Sequence, residues 1–162
     1  MRLVRVVPVV SLLAASLAAC GLFDQTFDEL SLPFEPYTGD ELRMDGYYAT
    51  APDDVTDNFA ALLLYRNGAL RYGGASTSRD SLESKLAVYG DRRYHWGVFV
   101  VDGDEIEMER WNVPQPFNSA TYLRSGRILN DTTFVLRSSE RELTYRFTAF
   151  SPKPDSTSTF LP

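Results

Sequence analysis

Between Leu42 and Ser151 the chain reads as short strand patterns separated by turn chemistry, and each turn decides which residues share a sheet face. Asn67-Gly68 is the strongest hairpin signal, because both residues tolerate the positive backbone angles of a two-residue turn. Folding about it sets Tyr65 opposite Leu70 and Leu63 opposite Tyr72, on one face with Phe59 and Ala61. Leu62, Leu64 and Arg66 take the other face, with Arg71 opposite Leu64. A second hairpin turns within Val101-Asp102-Gly103-Asp104. It groups Phe99 and Val101 with Ile106 and Met108, and Trp96, Val98 and Val100 with Glu105, Glu107 and Glu109. The three carboxylates mark that second face as solvated, since unpaired charges are costly to bury.

A third hairpin turns at Asn130-Asp131-Thr132, where a three-residue loop aligns Ile128 with Phe134 and Gly126 with Leu136. A fourth, at Glu140-Arg141, then pairs Phe134 with Phe147, Leu136 with Tyr145 and Ser138 with Leu143. The apolar face runs from one hairpin to the next, a consistency expected of a real sheet. Adding a first strand near Gly46-Tyr47-Tyr48-Ala49 makes eight strands in sequential order. One short helix near 81–89 fits between the third and fourth: Asp80 and Glu83 can form a capping box, Leu82, Leu86 and Tyr89 share a face, and Gly90 suits the stop. The expected fold is all-β, an eight-stranded antiparallel up-and-down barrel, because closure removes exposed edges. The alternative is a β-sandwich.

The N-terminus carries a different signal. Arg2 and Arg5 precede an apolar stretch from Val6 to Ala19, and Leu17-Ala18-Ala19-Cys20 ends it with the only cysteine of the chain. This resembles a bacterial lipoprotein signal sequence with its lipobox. The resemblance implies a signal peptide over 1–19, removal of which leaves Cys20 as a diacylglycerol-bearing residue anchored in a membrane. Two or more acyl chains hold stably where one does not. Residues 20–42 then read as a lipidated tether, 43–151 as the barrel domain and 152–162 as a flexible tail. Gly21 stands where an aspartate is associated with inner-membrane retention, so the expected location is the bacterial cell envelope, at the outer membrane. Removing Arg2 and Arg5, with no acids, moves the formal charge from −6 to −8. That acidity argues against nucleic acid as a partner and against a basic membrane-binding patch. A lipidated Cys20 leaves no thiol for a disulfide, a thiol-metal site or thiol catalysis.

Eight sequential strands behind a lipobox resemble the small lipocalin-like barrels of bacterial lipoproteins, over roughly Asp45 to Ser151. The segments Trp96–Trp111 and Gly126–Phe134 carry that resemblance. Where lipocalins proper have Gly-x-Trp, this chain has Gly46-Tyr47-Tyr48, and no functional residue is carried over.

Candidate chemistry is sparse. The single histidine, His95, falls on the expected inner face with Arg110 roughly opposite. Such a pair in a barrel mouth suits the carboxylate of a hydrophobic ligand, whose pocket Leu63, Tyr65, Tyr72, Phe99, Met108, Phe134, Tyr145 and Phe147 would line. Strand-end polar residues at a barrel rim explain the pair without a ligand. Asp53, Asp54 and Asp57 lack the calcium-loop spacing and read as a polar connection. No nucleophile elbow, zinc-protease motif or phosphate loop is present, so no metal, cofactor or enzymatic activity is expected. Two functions are expected from this pattern. One is an anchored barrel that binds a small hydrophobic or lipid-like ligand. The other is a non-catalytic structural lipoprotein with a filled barrel, whose exposed aromatics contact an envelope protein partner.

Overall fold

The computed structural model describes residues 28–52, 57–88, 90–113, 120–137 and 141–162. Cys20 and its lipobox, Asp53, Asp54 and Tyr89 lie outside the described residues. Eight strands follow one another: β1 (Gly46–Thr50), β2 (Phe59–Leu64), β3 (Ala69–Ser76), β4 (Trp96–Asp102), β5 (Glu105–Trp111), β6 (Thr121–Asn130), β7 (Thr133–Arg137) and β8 (Glu142–Ala149). All neighbours pair antiparallel, and β8 returns to β1 from Gly46↔Ala149 to Thr50↔Tyr145, which closes the barrel. The fold is therefore the up-and-down barrel, not the sandwich. One helix, α1 (Arg79–Val88), lies between β3 and β4, followed by a 3₁₀ turn at Arg93–His95.

The first hairpin corrects the expected register. Leu64 pairs with Leu70, Leu63 with Arg71 and Leu62 with Tyr72. The loop has three residues, not two. The Gly68 amide donates to the Tyr65 carbonyl (2.9 Å) and the Tyr65 amide to the Ala69 carbonyl (3.0 Å). Gly68 alone there takes a positive φ, +86°, giving a β-turn followed by a left-handed glycine. One extra residue flips every side chain of β2. Leu62 and Leu64 thus point into the barrel with Leu70 and Tyr72, while Leu63 and Tyr65 point out.

The other hairpins kept their faces. β4 and β5 pair as expected, from Gly97↔Arg110 to Asp102↔Glu105. In β6–β7 the pairs Gly126↔Leu136 and Ile128↔Phe134 stand, but Leu129 bulges and Asn130 pairs with Thr133, leaving a two-residue loop. In β7–β8, Phe134 meets Tyr145 and Leu136 meets Leu143, a shift of two that preserves the faces. Its final pair, Arg137↔Glu142, also forms an ion pair at 3.2 Å.

Two apolar layers result. Inside, Tyr48 packs on Phe134 (4.9 Å between centroids), Phe134 stacks on Tyr145 (5.1 Å), and Leu62, Leu64, Leu70, Phe99 and Ile106 fill the space between. Outside, Leu82 and Leu86 of α1 cover Ala61, Leu63 and Tyr47, while Trp96 and Trp111 extend the layer along the wall. The helix begins one residue before the expected capping box. The Ser78 hydroxyl accepts from the Ser81 amide (3.2 Å), Asp80 already lies in the first turn, and Glu83 accepts from the Tyr47 hydroxyl (3.0 Å).

The described parts of the flanking segments pack on the barrel. Residues 28–45 form a strap along the wall and across one end of the barrel. The Tyr37 amide donates to the Arg66 carbonyl (2.9 Å) and the Arg43 amide to the Asp131 carbonyl (3.0 Å), while Tyr37 and Leu42 complete the inner core. The C-terminal segment is tied down by Lys153, whose Nζ donates to the carbonyls of Met44 (2.6 Å) and Leu64 (2.5 Å), and Phe160 and Leu161 pack on the outer layer. Burial pushes the Lys153 ammonium down to about 8.

Glu109 corrects the reading of a solvated acidic face. Glu105 and Glu107 are exposed, but Glu109 is only 2% exposed. Its carboxylate accepts from the Ser31 amide (2.6 Å), the Ser31 hydroxyl (2.9 Å), the Leu32 amide (2.8 Å) and the Thr121 hydroxyl (2.5 Å). Burial opposes its charge, yet these donors hold its pKa below the ordinary 4.5. A carboxylate with a depressed folded pKa contributes stability above its unfolded value and loses it as pH falls through the folded one. Glu109→Gln is expected to cost about 1–3 kcal/mol at pH 7 and to flatten the acid limb of stability below pH 4.5, as read by denaturant unfolding across pH. Gly68→Ala places a Cβ 2.0 Å from the Glu35 carbonyl oxygen at a positive φ, and the same assay should record a loss of about 2 kcal/mol.

Candidate anion site in the barrel mouth

The strap closes the end of the barrel at the β2–β3, β4–β5 and β6–β7 turns. The other end, reached by Thr50, Phe59, Trp111, Thr121 and Arg137, opens into a cavity of about 210 Å³. Its walls are Ala60, Leu70, Tyr72, Met108, Tyr122, Leu136, Leu143 and Tyr145, with Arg110 and Arg124 as the charged members. No acidic residue is among the described residues that line it.

The sheet register places both guanidiniums there. On β5, Arg110 follows Ile106 and Met108 on the inner face. On β6, Arg124 pairs directly across from Met108, two residues from Gly126, which pairs with Ile106. Gly97 faces Arg110 across β4–β5, and a Cβ there would lie 2.7 Å from the Arg110 Cβ. The glycine leaves room for the arginine. The Arg110 guanidinium lies 4.5 Å from the Tyr72 ring centroid and 5.1 Å from that of Tyr122, and donates to the Trp111 carbonyl (3.2 Å). Arg124 lies 4.5 Å over Tyr122 and donates to its hydroxyl, while its buried Nε has no hydrogen-bond partner. Burial lowers the Arg110 pKa, and the like charge of Arg124 lowers it further. Burial pushes the Tyr145 phenol up to about 12, so it enters the site as a neutral hydroxyl.

Among the described residues, the arrangement is a pair of cations held by aromatic faces rather than by carboxylates. Cation–π contacts offset part of the desolvation, but they leave guanidinium donors for an anion entering from the mouth. The surrounding leucines and methionine supply a short apolar wall.

Of the residues anticipated for a pocket, Tyr72, Met108, Arg110 and Tyr145 line this cavity. Phe99 and Phe134 are buried deeper as packing, and Phe147 packs partly buried against the same core. Leu63 and Tyr65 are corrected to the outer layer by the three-residue turn. His95 is not in the cavity wall: it sits in the 3₁₀ turn, 7% exposed, with Nδ1 3.7 Å from Asp91. Burial lowers its pKa, Asp91 opposes this, and Arg71, Arg92 and Arg110 add to the lowering. Asp57 stands exposed in a connection, with φ +54°. Among the described residues no cluster of histidine, cysteine or carboxylate side chains could hold a metal.

Sequence reasoning missed Arg124 and Tyr122. The signal was available: Gly126 and Ile128 face inward, so Arg124 and Tyr122, two and four residues before Gly126, face inward as well. Glu109 offered no comparable signal, since Ser31 lies 78 positions away.

Matched against protein-family models, curated proteins and solved structures, the chain finds no counterpart.

Two like charges in one cavity disfavour the empty state. Arg124→Met should therefore raise the stability of the ligand-free protein by about 1 kcal/mol, read as a higher Tm at low ionic strength, with the gain shrinking as salt is added.

Proposed function

We propose that the protein is a lipid-anchored lipoprotein of the bacterial cell envelope, at the outer membrane, whose barrel mouth binds a small ligand with one acid group and a short apolar body. The observation that carries this reading is Arg110 and Arg124 in a single apolar-walled cavity with no acidic residue in its described wall. Partly buried cations with no counter-charge in the described wall weaken a fold, and a ligand that supplies the charge explains their presence. At about 210 Å³ the cavity is smaller than the roughly 300–1,000 Å³ of pockets for drug-sized ligands. The ligand is therefore compact, and a long acyl chain has no room behind the arginines. The role is binding rather than catalysis, with the lipid on Cys20 as the membrane attachment.

A second reading is a protein-interaction lipoprotein with a filled barrel. It draws on the strap end, where Tyr37, Tyr48, Phe99 and Phe134 leave the interior packed.

Octanoate, octanol and palmitate serve as probes in titration calorimetry, together with native mass spectrometry of untagged protein. Octanoate is expected to bind, octanol to bind at least tenfold more weakly, and palmitate to gain nothing from its longer chain. Arg110→Met should weaken octanoate by tenfold or more, the loss of one charge-assisted pair. Absence of any carried ligand together with no octanoate binding would reject the ligand reading and favour the filled barrel.

A further inference from the structure

We infer that the barrel docks mouth-first on the bilayer that holds its own anchor. This rests on lipidation of Cys20 in the reading above. The first described residue is fixed at the mouth end: the Trp111 indole donates to the Asp28 carbonyl (2.8 Å), and Glu109 grips Ser31 and Leu32 just beyond. From there the strap runs away from the mouth and seals the opposite end, where Tyr37 and Arg43 bond to the β2–β3 and β6–β7 turns. The chain thus leaves for its anchor beside the cavity rather than beneath the sealed end.

Reach then favours one orientation. Eight residue steps join Asp28 to Cys20, at most about 28 Å fully extended. β5 has seven residues and spans about 20 Å. Presenting the sealed end to the membrane would use most of that reach simply to pass the barrel wall. Presenting the mouth leaves the linker slack, at lower entropic cost.

The surface agrees. Of four large apolar side chains exposed among the described residues, two lie toward the mouth, Val113 (47%) just beyond β5 and Leu123 (52%) opposite Glu109, while Val88 (73%) ends α1 on the outer wall. Only Leu129 (50%) lies at the sealed end. Arginines around the mouth are interspersed with acids, as Arg92 with Asp91, so contact is apolar and anchor-driven rather than electrostatic. A mouth held against a leaflet takes its acidic ligand from molecules partitioned in that leaflet.

Cys20 is the only cysteine, so lipidation leaves the full-length protein without a free thiol, and Val113→Cys and Leu129→Cys each accept one thiol-reactive fluorophore. The lipidated variants are reconstituted in phosphatidylethanolamine/phosphatidylglycerol vesicles containing doxyl-labelled phosphatidylcholine. The label at 113 is expected to be quenched at least threefold more than that at 129, with no decline in 0.5 M salt. Equal quenching, or stronger quenching at 129, overturns mouth-first docking while leaving the anchor and the ligand site intact. If the unsubstituted protein takes up the label and its mass shows no acyl chains, the anchor reading itself falls, and this inference with it.

Discussion

The hydrogen-bond ladder between β1 and β8 is the constraint on which the rest of this protein depends. Five residue pairs close the sheet on itself, and with closure the chain acquires an inside, an outside and two unlike ends. Every strand gains a neighbour on both sides, and every inward side chain must be accommodated in a confined interior. Aromatic residues meet most of that demand. Tyr48, Phe134 and Tyr145 form a packed column, and Tyr48 also directs its hydroxyl to the carbonyls of Arg43 and Asp131 at the strap end.

Closure alone does not account for the second apolar layer. β2 is apolar on both faces, so a barrel bare on the outside would leave Ala61, Leu63 and Tyr65 in water. α1, the strap and the C-terminal segment cover them. Two charges organise that cover, one buried and one half-buried: Glu109 collects donors from the strap, and Lys153 collects carbonyls from β2 and the chain before β1. Each charge is satisfied by hydrogen bonds rather than by an opposite charge, which makes the attachment directional as well as strong. The mouth is organised on the opposite principle. There Arg110 and Arg124 are supported by tyrosine faces, with no acid among the described residues of the cavity wall. That contrast gives the proposed binding role its physical basis.

The strand count, order and closure were legible because alternation and turn chemistry are local. Three hairpins kept their predicted faces: the β4–β5 turn at Gly103-Asp104 has the predicted parity, the β7–β8 register shifts by an even two, and in β6–β7 the bulge at Leu129 makes up for a loop one residue shorter than predicted. The Asn67-Gly68 hairpin failed for an instructive reason. β2 is apolar at every position, so alternation could not arbitrate between faces, and the dipeptide alone did not distinguish a two-residue turn from one lengthened by Arg66. Arg110 was legible by the same parity, and Arg124 would have been had the rule been carried along β6. His95 was misplaced because a 3₁₀ turn breaks the alternation just before β4.

By itself, then, the sequence determined the eight strands, their sequential pairing and the inward position of the mouth arginine, all consequences of contacts between near neighbours in the chain. Only the tertiary structure decided that Glu109 is buried, that both flanking segments pack on the barrel, and that two arginines share a cavity with no described acid in its wall. Those outcomes depend on partners 78 residues apart, as Ser31 is from Glu109, or 109 apart, as Met44 is from Lys153. No local period encodes such a distance. Packing alone selects which charged side chain finds its donors.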